Sequence, residues 1–138
     1  MTPTTDSDLP LLGQSLNRLR DIIHQRNLDA GWWTDLHTGA DLRHTTPGPK
    51  RNVPEMLALV HSEVSEALEG YRKGLQDDKL PHRPMAEVEI ADTIIRLMDL
   101  AGGLGYDIGG ALVEKLEYNA SRADHKPENR RQPGGKSI

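Results

Sequence analysis

The chain has 138 residues, no Phe and an aromatic share of only 4%, enough for one modest helical core but poorly suited to a β-sandwich, whose strands favour aromatic and β-branched side chains. Its net charge of -4 excludes an overall basic field for nucleic acid or an anionic membrane. The absence of Cys excludes disulfides, thiolate metal sites and a Cys nucleophile. The start MTPTTDSDLP is polar and acidic where a secretory signal is basic and then apolar, and no run approaches the roughly 18 apolar residues of a membrane span. The resulting expectation is an unexported, cytoplasmic protein.

The patterning predicts an all-α chain, a four-to-five-helix bundle, with a single domain over residues 1–126 and a polar tail over 127–138. Leu12, Leu16, Leu19 and Ile23 recur at spacings of three and four and predict a first helix over about residues 9–28. A long irregular segment, residues 31–53, follows, and a stretch of that length in a compact domain is either functional or disordered. It holds both tryptophans, Trp32 and Trp33. One reading makes a Trp a plug for the core edge; the other makes the pair a stacking surface for a planar ligand.

A second helix is expected over about 52–71, with Pro54 in its first turn and Gly74 just past its end. The third starts near Pro84, carries Val88, Ala91, Ile95 and Met98 on one face with Ile94, Leu97 and Ala101 beside them, and stops at Gly102, Gly103 and Gly105. The fourth runs from about Ile108 to Ala120 with Leu112 and Leu116 inward.

Helix two contains Glu63 and Glu66 and helix three Glu89 and Asp92, each pair spaced i, i+3 and therefore on one face. An ExxE in a helix is ordinarily a solvated face. Glu63 differs: at about 100° per residue it is bracketed by Met56, Val60, Ala67 and Leu59, while Ser62, Ser65, Glu69 and Arg72 occupy the opposite side. A carboxylate turned inward requires a compensating positive charge. For Asp92 an i, i+4 pair with Arg96 is the surface explanation. Four carboxylates without thiolate or imidazole in register form a hard, oxygen-only donor set, suited to Mg²⁺ or Mn²⁺. No Glu-x-x-His occurs, which disfavours a di-iron bundle, and the six histidines, His24 among them, read as surface or loop residues.

Lys115, Asn119 and Arg122, at i, i+4 and i+7, share one face of helix four and its exit. Taken alone they are a solvated basic face; beside a carboxylate cage they complete a site for di- or triphosphate. Lys126 is a further cation nearby, and Arg43, His44, Lys50 and Arg51 are candidates in the long loop.

In these motifs, over about residues 52–126, the chain resembles the MazG-like all-α nucleoside triphosphate pyrophosphohydrolases, relatives of the dimeric dUTPases and of phosphoribosyl-ATP pyrophosphatase. The resemblance lies in Glu63-x-x-Glu66 and Glu89-x-x-Asp92, with 22 residues between, and in the trailing Lys115-x₃-Asn119-x₂-Arg122. Where the family often has another Glu just before the first motif Glu, this chain has Ser62. The resemblance implies hydrolysis of a nucleoside triphosphate, ribo or deoxy, to monophosphate and pyrophosphate, with a lean to guanine. It also implies two or more Mg²⁺ ions, replaceable by Mn²⁺, on Glu63, Glu66, Glu89 and Asp92. Phosphate contacts fall to Lys115, Asn119, Arg122 and Lys126, base contacts to Trp32 or Trp33, and the subunits pair as dimers or dimers of dimers. A dUTPase-type or phosphoribosyl-ATP activity is the alternative within enzymes. Outside them, the alternative is a non-catalytic helical dimerisation or regulatory module.

Overall fold

A computed structural model describes residues 6–138. Among these residues there is no β-strand, only isolated bridges at Thr34 with Asp41 and Gln76 with Pro84. The main helices are α1 (Leu9–Asp29), α2 (Val53–Lys73), α3 (Met85–Leu104) and α4 (Ile108–Ser121), with the one-turn α5 (Pro127–Arg130) in the polar tail. No helix among the described residues is long and apolar enough to cross a membrane.

The helix ends follow local chemistry. The Asn52 side chain accepts from the backbone N–H of Glu55 at 3.2 Å and opens α2, and Gly74, at φ 62°, closes it in the left-handed conformation. The Asp107 side chain caps α4 by accepting from Gly110 N. Only one of the three expected stop signals ends α3: the helix passes through Gly102 and Gly103, and Gly105, at φ 71°, terminates it. Gly102 and Gly103 serve packing instead, since a Cβ on either would collide with His24 or with the indole of Trp33.

The chain divides into two compact units, Arg18–Tyr106 and the residues up to Asn17 together with Asp107–Ile138. In the larger unit α2 and α3 pack against each other, antiparallel, because Gly70 late in α2 meets Met85 at the start of α3 while Glu63 meets Arg96 further on. Its core is Trp33, Met56 and Leu100, flanked by Leu28, Val53 and Leu104. The long loop is tied to this unit through backbone bonds from Leu42 N to Trp33 O and from His44 N to Gly103 O. In the smaller unit, Asn17 bonds both the Asp107 side chain and Gly109 N, and Gly13 and Gly109 lie in close contact.

The faces depart from the predicted ones. Ile94, Ile95 and Leu97 of α3 are exposed while Glu89 and Asp99 are buried, and Leu112 and Leu116 of α4, expected inward, are exposed. Leu12 and Leu19 of the first stripe are exposed as well, the buried positions of α1 being Gly13 and His24. The periodicity marks apolar faces correctly, but much of that area lies outside.

Candidate functional site

Carboxylate oxygens of Glu63 on α2 and of Glu89 and Asp92 on α3 lie within 4.8 Å of one another. Glu63 and Glu89 are each about nine-tenths buried and Asp92 is half-buried. Glu66, one turn beyond Glu63, is exposed and outside this tight group, yet its charge still raises the pKa of Glu89. Two antiparallel helices build the cluster from Glu63 on one and the i, i+3 pair Glu89 and Asp92 on the other, so three of the four expected carboxylates gather and Glu66, turned toward solvent, does not.

Its electrostatics are strained. Burial, a hydrogen bond to Glu63 and the charges of Glu66, Glu63 and Asp92 together push the Glu89 carboxyl up to about 7. Asp92 is raised by burial and by the Glu63 charge, partly offset by Arg96. Glu89 Oε2 is buried without a hydrogen-bond partner. A buried, unpaired carboxylate oxygen beside two further carboxylates fits a hard divalent cation, which satisfies such atoms and whose charge reverses their repulsion.

The positive charge required by Glu63 is Arg96, whose Nε donates to Glu63 Oε1 at 2.6 Å. The expected Asp92–Arg96 pair therefore gives way to a bond between helices, because Arg96 faces α2 and Glu63 is its more buried acceptor. Arg96, Glu63 and Asp92 line one part of a cavity of about 470 Å³. Asn27 on α1, Trp32 and Arg51 from the long loop, and Asp99 on α3 also line it.

The two tryptophans separate. Trp33 is 1% exposed, with its indole N–H donated to Asp99 Oδ1 at 2.9 Å, whereas Trp32 is exposed and borders the cavity. Trp33 is thus the core plug, with its six-membered ring against Gly103 and the Arg51 guanidinium 5.3 Å from its centroid. His24 is no surface histidine: it is buried, stacks edge-on against Trp33 and bonds Asp99 Oδ1 through Nδ1 at 2.9 Å. Of the loop cations, only Arg51 lines the cavity; Arg43 is engaged by Asp41, Lys50 bonds the carbonyls of Arg43 and Thr46, and His44 bonds the Arg51 carbonyl.

Lys115, Asn119, Arg122 and Lys126 all belong to the smaller unit. Lys115 Nζ lies 4.8 Å and Arg122 5.9 Å from the ring centroid of Tyr118, so the two cations gather at one aromatic. Arg122 also pairs with Asp124, and Asn119 Oδ1 is buried without a partner. Lys126 forms the N-cap of α5.

Asp99 and Asn27 join the predicted residues in lining the cavity, although neither stands among the carboxylate or cation motifs. For Asp99 a signal existed: it stands seven residues after Asp92, on the same arc of α3, inside the otherwise apolar LMDLAGG. Nothing in the local pattern marks Asn27. No family model, curated protein or solved structure matches the chain.

Proposed function

We propose that this protein hydrolyses a nucleoside triphosphate, ribo or deoxy, to the monophosphate and pyrophosphate, as its resemblance to the MazG-like pyrophosphohydrolases implies. The observation that carries the reading is the cluster of Glu63, Glu89 and Asp92, with its buried unpaired Oε2, opening through Glu63 and Asp92 into a cavity that Trp32 borders. Glu63, Glu89 and Asp92, with Glu66 alongside, would hold Mg²⁺ or Mn²⁺, two or more ions per site. Such ions, when bound, neutralise phosphate oxygens and acidify a water.

The chain's own groups supply the rest. Arg96 keeps its Nη donors for a phosphate oxygen while Nε bonds Glu63. Exposed Glu66, outside the tight group, orients the attacking water. Trp32 offers a face on which a base stacks, and the cavity walls restrict water around the reacting phosphate. Lys115, Asn119, Arg122 and Lys126 remain the phosphate contacts that the resemblance assigns, and self-association as a dimer or dimer of dimers belongs to the same reading.

A second reading rests on the Arg96–Glu63 pair, since an internal counter-ion also suits a non-catalytic helical module whose acidic cluster binds a cation for stability alone. Assaying monophosphate and pyrophosphate release from the eight common ribo- and deoxynucleoside triphosphates with Mg²⁺ or Mn²⁺ decides between them. The hydrolase reading expects turnover that Glu63→Ala or Asp92→Ala lowers by at least about 100-fold. Turnover undiminished in both variants overturns the site. No turnover of any substrate, with a melting temperature that rises on adding Mn²⁺, establishes the module.

A further inference from the structure

Asp99 carries more bonding capacity than its structural role uses. Its Oδ1 takes both the Trp33 indole N–H and His24 Nδ1, each at 2.9 Å. Its Oδ2 accepts no hydrogen bond among the described residues, although the side chain is only 6% exposed. An Asn at this position could also accept from Trp33 and His24 through its own Oδ1, giving up only the ion pair that a carboxylate makes with a protonated His24, and burying a neutral amide costs less than burying a carboxylate. The second oxygen therefore asks for a donor that no described residue supplies. Asp99 lines the cavity, so that donor can come from the cavity's occupant.

Position narrows the occupant's chemistry. Asp99 stands seven residues beyond Asp92 on the same face of α3, about 10 Å along the helix at 1.5 Å per residue. This is the scale that separates a nucleotide's α-phosphate from the far edge of its base. Trp32 lines the same cavity and offers a stacking face, and Asn27 adds an amide able both to donate and to accept.

We propose that Asp99 reads the base: Oδ2 accepts a hydrogen bond from an exocyclic amino group on the base's pairing edge, selecting amino-bearing bases over thymine and uracil. Guanine ranks first, because its ring N–H and amino donors adjoin, whereas the single N–H of thymine or uracil is flanked by two carbonyl oxygens that repel a carboxylate. The proposal deepens the pyrophosphohydrolase reading and rests on it for the triphosphate, but the base contact is measurable without turnover.

The test is equilibrium binding of dGMP, dIMP and dTMP in the presence of Mg²⁺, followed by quenching of the exposed Trp32, alongside kcat/KM for dGTP and dTTP. The wild type is expected to prefer dGMP over dTMP by about 5- to 100-fold, the worth of one good base-edge contact, and dIMP, which lacks the amino group, is expected to bind more weakly than dGMP. Asp99→Asn keeps acceptors for Trp33 and His24 through its Oδ1 and replaces Oδ2 by a donor; it is expected to remove the preference for dGMP over dTMP. Should that variant not fold, the dGMP to dIMP ratio in the wild type decides. Equal binding of dGMP and dTMP, or a preference undiminished in Asp99→Asn, overturns the proposal. A binding preference sensitive to Asp99→Asn without any triphosphate turnover sinks the hydrolase reading alone, and turnover with no base preference sinks this proposal alone.

Discussion

At the scale of single residues, Glu63 and Glu89 show how similarly buried carboxylates come to differ. Glu63 has the Arg96 guanidinium 2.6 Å away, while Glu89 faces burial and three acids with one oxygen unpaired. The consequence for stability has a definite sign. The Glu89 pKa rises from its ordinary 4.5 to about 7 in the folded protein, so across that window the folded form retains a proton that the unfolded chain has released. Stability therefore falls as pH rises from about 5 to 7.5 and levels above it. Asp92, also raised, acts in the same direction, whereas Asp41, lowered to about 2 by its hydrogen bond from Arg43, acts in the opposite sense and only in stronger acid. Urea unfolding at pH 5, 6, 7 and 8 without divalent ions is expected to show the decline, and Glu89→Gln to flatten it and to exceed the wild type at pH 8. Mn²⁺ is expected to stabilise the wild type increasingly as pH rises, because cation and proton compete for the same oxygens. Parallel profiles for wild type and variant would remove Glu89 as the cause.

At the scale of elements, α3 shows what a sequence pattern conveys. Its start at Pro84 and its end at Gly105 are written in local chemistry, and α2 likewise announces itself through Asn52 and Gly74. Glu63 was legible as an inward acid because its own helix surrounds it with apolar neighbours. The pattern points Arg96 toward Asp92 because it conveys only i, i+4 neighbours, whereas the partner of Arg96 lies 33 positions away on another helix. Gly102 and Gly103 looked like stops for the same reason, since the side chains they accommodate, His24 and Trp33, come from α1 and the long loop. The distinction is testable. Ala is favoured over Gly inside a helix by about 1 kcal/mol, so if Gly103 had no packing role, Gly103→Ala would stabilise the protein. The collision with Trp33 predicts the opposite, a net loss of about 1–3 kcal/mol typical of overpacking, read as a lower melting temperature. An unchanged or raised melting temperature would show that the indole relocates freely.

At the scale of the whole molecule, the two helices that build the acidic cluster wear their apolar residues outward. Leu57, Val64, Leu68 and Tyr71 form an exposed stripe on α2, and Ile90, Ile94 and Leu97 another on α3, while Glu63 and Glu89 face inward. Besides the buried Met56, Met98 and Leu100, these helices carry more apolar residues than their shared inner face holds, and water is a poor solvent for stripes of this kind. The self-association proposed with the MazG-like reading would resolve the conflict. Each half-exposed aliphatic newly covered contributes about 1 kcal/mol, and a two-fold pairing counts every residue twice, which brings the gain to the scale of the association cost of about 4–15 kcal/mol. Sedimentation at micromolar concentration is therefore expected to give a species at least twice the 15.3 kDa chain mass. Leu68→Glu or Ile94→Glu, each placing a charge in an exposed stripe without touching the core of Trp33, Met56 and Leu100, is expected to return it to monomer with its helix content retained. A wild-type chain that sediments as a monomer throughout that range would show the stripes to be simply solvated, and the acidic cluster would then have to function within a single chain.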